Sequence, residues 1–173
     1  RFIVVSNHRL AALLTERCGG DDWIRDLGCI RRLEAHADDT DFHAQWRAVK
    51  LAAKTDLANW LARNAEVDID PQSLFDVQAK RFHEYKRQHL NVLNIVSLYQ
   101  RLKYSPNLDI TPRTFIFGGK AAPGYRMAKL MIKLINAIAA VVNRDPQING
   151  TLRIAFMPNF NVQNGQRLYP AAD

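Results

Sequence analysis

Apolar positions along the chain fall into two regimes that change over near residue 70. Before that point the spacing is mostly helical. Phe2-Ile3-Val4-Val5 is a strand-like run, whereas Leu10–Leu14 followed by Gly19-Gly20 reads as a short helix with a glycine stop. From Asp21 onward Trp23, Ile24, Leu27, Ile30 and Leu33 predict a further helix with Asp21 or Asp22 as its N-cap. A long helix is predicted from about Asp41 to Asn64, where Trp46, Val49, Ala53, Leu57, Trp60 and Leu61 form one apolar stripe. Its tryptophans, like Trp23, are expected to be packing anchors.

Beyond Asp70-Pro71 short apolar runs alternate with helices. Leu74, Phe75 and Val77 predict a strand, and a helix from about Arg87 to Lys103 carries Leu90, Leu93, Leu98 and Leu102 and stops before Ser105-Pro106. Arg113–Phe117 predicts a second strand running into Gly118-Gly119, and Tyr125–Asn143 a second helix closed by Asp145-Pro146. After a turn at Asn149-Gly150 comes a third strand, Leu152–Met157, ended by Pro158-Asn159. Residues 161–168 are a weak helix or loop, and Tyr169–Asp173 looks like the entry to another element.

This order predicts an α/β fold: a doubly wound, Rossmann-like parallel sheet with a helical N-terminal segment. Residues 1–70 are the mainly helical lead-in and 71–173 the strand and helix repeats. Ligands in such sheets bind beyond the carboxyl ends of the strands. Here those ends are Lys80-Arg81, Gly118-Gly119-Lys120 and Pro158-Asn159-Phe160, so three loops are expected to share one mouth.

Composition narrows the class only a little. With 173 residues, 47% of them hydrophobic and 24% charged, the chain has the make-up of a globular domain with a sizeable core. A net charge of +7 favours acidic partners, but the cations are scattered; nucleic acid, phosphorylated metabolites and acidic neighbouring domains all stay open. Cys18 and Cys29 lack metal-binding spacing and read as reduced thiols. No apolar run is long enough to span a membrane and no leader signal is present, so a cytoplasmic protein is expected.

Charge and hydrophobic period change together at Leu74–Gln88. Lys80, Arg81, Lys86 and Arg87 put four permanent cations within eight residues just after a strand. Arg81 offers a planar fork suited to bidentate contact with phosphate, and Lys86 a compact charge on a long stem. The alternative is that these cations are the solvated start of a helix, although cations there oppose the macrodipole. His83 and Glu84 are candidates for an acid/base pair, with a structural histidine as the alternative. Gly118-Gly119-Lys120 resembles a phosphate loop only loosely and could equally serve a tight turn. Read from the residues alone, this is an anion-binding α/β domain, and no metal-binding constellation stands out.

Four ordered motifs say more. Phe75-Asp76-Val77-Gln78-Ala79-Lys80-Arg81-Phe82-His83-Glu84-Tyr85-Lys86-Arg87-Gln88 closely resembles the FDVQxKRIHEYKRQ signature of the glycogen, starch and maltodextrin phosphorylases. Phe117–Tyr125 resembles the same family's FGGKAAPGY, Asn143–Pro146 its NxDP and Pro170–Asp173 its PAAD.

The resemblance implies part of the C-terminal domain, over residues 1–173, of a two-domain GT-B glycosyltransferase. Such enzymes cleave terminal α-1,4-glucosyl units of an α-glucan with inorganic phosphate, giving glucose 1-phosphate with retention. Their cofactor is pyridoxal 5'-phosphate, whose phosphate group relays a proton. Carried over by motif position, Arg81 and Lys86 would hold the substrate phosphate, with Lys80 and Lys86 close to the cofactor phosphate. Tyr125, Lys120 and His83 would line the substrate cleft. The resemblance places the Schiff-base lysine downstream of Asp173 and half of the cleft in an N-terminal domain, both outside this sequence, and it implies a homodimer. Nucleic acid and membranes are not expected partners. A nucleotide-sugar GT-B glycosyltransferase and a non-catalytic phosphate- or nucleic-acid-binding module are the alternatives, since a fold does not fix a function. Departures from the motifs are Phe82, where the signature has isoleucine, Phe160, where tyrosine is frequent, and Phe2–Ser6, where the family has a helical entry.

Overall fold

A computed structural model of the chain describes residues 2–105, 107–148 and 150–173. The helix stop expected at Pro106 and the turn expected at Asn149 lie outside the described residues. The chain forms two compact units, one containing the residues up to Leu57 together with Gln163–Ala171, the other Ala58–Val162 with Ala172–Asp173.

The first unit is helical. Phe2–Ser6 is a helical turn, α1, rather than the strand its apolar run predicts: the Asn7 amide donates to the Ile3 carbonyl at 2.8 Å. A run this short fits either period, so the contacts decide. Asn7 then caps α2 (His8–Cys18), its side chain accepting from the Leu10 amide at 3.0 Å. Gly19, at φ 73°, ends α2 in the left-handed conformation, as the glycine pair predicts.

The regular helix expected from Asp21 is instead two 3₁₀ stretches, Asp22–Ile24 and Leu27–His36. The Asp26 side chain accepts from the Gly28 amide at 2.9 Å, a local bond that competes with helical pairing, and Gly28 itself weakens a helix. Asp26, and neither Asp21 nor Asp22, makes the side-chain cap. Trp23 is buried with Ala11, Leu14 and Cys18, and its indole N–H donates to Thr15 Oγ1 at 3.0 Å.

α3 (Thr40–Ala65) extends the predicted helix by one residue at each end. Asp39 Oδ1 accepts from the amides of Asp41 and Phe42, and these bonds, led by that from Phe42, hold the Asp39 carboxyl below its ordinary pKa. Of the predicted stripe, Ala53, Leu57 and Leu61 are buried. Trp46 is 41% exposed and therefore no packing anchor in this chain. The segment read as weak helix or loop is α6 (Val162–Ala171), and Tyr169-Pro170-Ala171 form its last turn. Its buried positions are Asn164, Gly165, Leu168 and Ala171, of which Leu168 is the one large apolar side chain, too few to mark a helical face in the sequence.

The second unit carries the sheet. Strands β1 (Leu74–Ala79), β2 (Arg113–Gly118) and β3 (Leu152–Met157) lie parallel in the order β1-β2-β3. Parallel neighbours need crossovers, and α4 (Gln88–Tyr104) and α5 (Arg126–Val142) supply them. The register pairs Ala79 with Gly118 and Gly118 with Met157, so all three strands finish level. Phe115, Phe117, Leu152 and Ile154 share a core with Val92, Ile95 and Leu102 of α4 and Ala128, Met131, Ile135 and Val142 of α5. Thr114 and Ile116, which alternate with these, are buried as well, so β2 is covered on both faces in the manner of a central parallel strand. This is the Rossmann-like α/β arrangement expected from the sequence, here as a three-stranded part.

An ionic latch joins the far ends of the two crossover helices. Asp145 Oδ2 accepts from the Tyr99 hydroxyl at 2.7 Å and from Lys103 Nζ at 2.8 Å. The Lys103 bond, then that of Tyr99, lowers the Asp145 carboxyl to about 2.

Candidate functional site

The site is built where β1 and β2 run out. Backbone pairing continues past both strands: the Lys80 amide donates to Gly118 O at 2.9 Å and the Phe82 amide to Lys120 O at 3.1 Å. Gly119 is pressed against this seam. A Cβ there would stand 2.2 Å from the Lys80 carbonyl oxygen and 3.1 Å from the Phe82 ring, which only the absence of a side chain permits. Gly118-Gly119 therefore serves close backbone approach. Six residues separate Gly119 from the first residue of α5, Arg126, so the loop does not have the phosphate-loop arrangement of a glycine turn opening directly into a helix. Phe82 is buried and stacks on Phe156 of β3 at 5.9 Å, bringing the third strand to the same place.

After Phe82 the chain turns outward. His83 is extended, Glu84–Lys86 form one 3₁₀ turn, and Arg87, at φ 57°, swings the chain into α4. A left-handed conformation is uncommon for arginine and costs about 1–2 kcal/mol, a strain sustained by the surrounding structure.

The turn places its aromatic and acidic groups against the β2 loop. The Tyr125 hydroxyl donates to Glu84 Oε2 at 2.5 Å and accepts from the Glu84 amide at 3.2 Å. Donation to the carboxylate is the main cause that raises the Tyr125 phenol above its ordinary pKa. The His83 ring lies 4.4 Å from that of Tyr85 and 5.0 Å, edge-on, from that of Tyr125. Lys86 Nζ sits over the Tyr85 ring at 5.6 Å.

The residues singled out in the sequence thus divide. His83, Glu84, Lys86 and Tyr125 come together in one cluster, although Glu84 bonds to Tyr125 and not to His83. Lys80, Arg81 and Lys120 stand beside it with exposed side chains on the paired loop backbones. Tyr85 is the member that sequence reasoning missed. It contacts both His83 and Lys86, and the only signal for it was its place between two candidate residues.

Chemically the cluster offers mobile cations next to aromatic faces and one carboxylate, a combination suited to an anionic group carried on a polar, ring-shaped partner. Among the described residues no group of three or more His, Cys, Asp or Glu could hold a metal ion, and no helix is long and apolar enough to cross a membrane.

Known proteins are similar to this chain in sequence. The family model for carbohydrate phosphorylase matches residues 1–173. A glycogen phosphorylase of Synechocystis sp. is 54% identical over all 173 residues, the mouse muscle form of glycogen phosphorylase 48%, and a glycogen phosphorylase of Chlamydia pneumoniae 45%. In each case the match covers this whole chain and 20–21% of the relative, so the chain spans about a fifth of the length of these proteins. With its signature residues gathered on the loops that follow β1 and β2, the chain belongs to the carbohydrate phosphorylase family.

Proposed function

We propose that the chain is part of the C-terminal GT-B domain of an α-glucan phosphorylase, and that in the full-length protein it binds the phosphate that attacks a terminal α-1,4-glucosyl bond. The products are glucose 1-phosphate and a glucan shorter by one unit. One observation carries the reading. The loop with Lys80, Arg81 and Lys86 is paired by backbone to the glycine loop and tied by Glu84 to Tyr125, which gives the cations a rigid base.

Arg81 grips the substrate phosphate with its fork, and Lys86 adds a point charge. Tyr125, His83 and Lys120 line the adjacent cleft wall, and Tyr85 joins them. The donor set also fits the phosphate ester of pyridoxal 5'-phosphate, with Lys80 and Lys86 as the residues that would hold it. When bound, the cofactor supplies a phosphate group that exchanges a proton with the substrate phosphate. Two phosphates brought side by side repel strongly in a partly dry site, and fixed cations offset that repulsion. The N-terminal domain completes the cleft, two copies form a homodimer, and the enzyme works in the cytoplasm.

The test is phosphorolysis by the full-length polypeptide. Purified protein given glycogen or a maltooligosaccharide releases glucose 1-phosphate in proportion to added inorganic phosphate. Turnover that needs a nucleotide sugar, or none with phosphate, rejects the assignment.

A further inference from the structure

The exposed Arg81 and half-buried Lys86 side chains are long, so where they reach depends first on how firmly their backbones are held. Two glutamines do this. Gln88, the first residue of α4 and wholly buried, donates from Nε2 to the Arg81 carbonyl at 3.1 Å. Gln78, on β1, donates from Nε2 to the Lys86 carbonyl at 3.5 Å, while its own Oε1 accepts from Asn91 Nδ2 at 3.0 Å. Each carbonyl belongs to one of the two residues assigned to the substrate phosphate.

Gln88 Oε1 is buried with no hydrogen-bond partner. An unsatisfied buried acceptor is unfavourable, and a methionine of similar shape would fill the same space without it. What the amide adds over an apolar side chain at that place is the bond to Arg81. Gln78 is half-buried between Val77 and Ala79 on β1, and its amide is oriented by Asn91 before it reaches Lys86.

We propose that Gln88 and Gln78 are positioning residues that set the phosphate affinity of the site by clamping the backbones of Arg81 and Lys86. The inference rests on the phosphorylase assignment above. Neither glutamine touches substrate. Each acts by limiting the range over which a cation's starting point wanders, and ligand geometry is sensitive to displacements of about 1 Å.

The experiment is steady-state phosphorolysis by full-length Gln88→Met and Gln78→Met proteins, varying phosphate and glucan separately. A clamp predicts that the KM for phosphate rises about tenfold while kcat and the KM for glucan stay within about twofold of wild type. A loss confined to kcat or to soluble yield, with the phosphate KM unchanged, marks the glutamines as structural and overturns the inference. If Gln88→Met fails to fold, the phosphate KM of Gln78→Met, at the more accessible position, decides in the same way. Wild-type protein without phosphate-dependent turnover removes the assignment itself, and the clamp with it.

Discussion

Tyr125 and Glu84, on loops that follow different strands, are joined in both directions: the phenol donates to the carboxylate and accepts from the backbone amide of the same residue. One side chain thereby closes a ring that holds the 3₁₀ turn of β1's loop to the loop of β2. Replacing Tyr125 with phenylalanine keeps the ring contact with His83 and deletes both bonds.

For Tyr125→Phe, hydrogen exchange of the peptide covering residues 82–88 is expected to quicken by about three- to tenfold, since the Glu84 amide loses its acceptor. The phenol's raised pKa gives a second readout. Its neutral form is favoured in the fold, so the stabilisation is complete below about pH 10 and is lost as pH rises through the higher folded value. Absorbance titration of wild type minus variant should therefore show one tyrosine ionising above 10. A tyrosine titrating at its ordinary value contradicts the bond.

Gly119→Ala asks more of the molecule. The new methyl would meet the Lys80 carbonyl at 2.2 Å, and backbone cannot yield as a flexible side chain can. Overpacking of this kind costs about 1–3 kcal/mol, and displacing Lys80 should also weaken phosphate use. Urea unfolding measures the first effect and phosphorolysis the second; unchanged values for both would mean the seam is looser than described.

Arg81→Ala in the full-length protein should lower phosphorolysis at subsaturating phosphate by about 100-fold or more, the scale of losing a preorganised charge at a site of developing charge. Kinetics in phosphate tell directly, and an unaltered rate refutes the assignment of Arg81.

At the opposite end of the helices, Asp145→Asn tests the latch to Tyr99 and Lys103. A carboxyl depressed from 3.8 to about 2 stabilises the fold above its unfolded pKa, and the contribution is lost as pH falls from about 4 toward about 2. Thermal midpoints followed by circular dichroism should differ by a few degrees between wild type and variant above pH 5, with the gap closing on acidification. A gap independent of pH would place the effect elsewhere.

The strands and crossovers were legible from β-branched and aromatic runs, turn residues at both ends and helix-length apolar segments between them, although on α4 the buried face is marked by Val92 and Ile95 while Leu90 and Leu93 are exposed. The cations of the β1 loop were legible as chemistry because four of them interrupt an apolar pattern. Tyr85 was not, since a lone aromatic in a single 3₁₀ turn belongs to no period. The seam at Gly119 was half legible. A glycine pair announces a tight place, but only the paired backbones of Lys80 and Phe82 reveal which atoms crowd it. The helical first unit misled twice, at Phe2–Ser6 and after Asp21, because a five-residue run fits two periods and Asp26 and Gly28 redirect the chain through local bonds.

Because Ala79, Gly118 and Met157 lie side by side in register, the three loops depart from a common baseline, and strand length alone decides which residues reach it. An insertion of one residue before Phe115 would carry Gly118 past its neighbours by about 3.3 Å and turn each β2 side chain from Phe115 onward to the opposite face of the sheet. Substitutions at the rim can alter what this part of the protein holds, but lengthening or shortening a strand would dismantle the rim altogether.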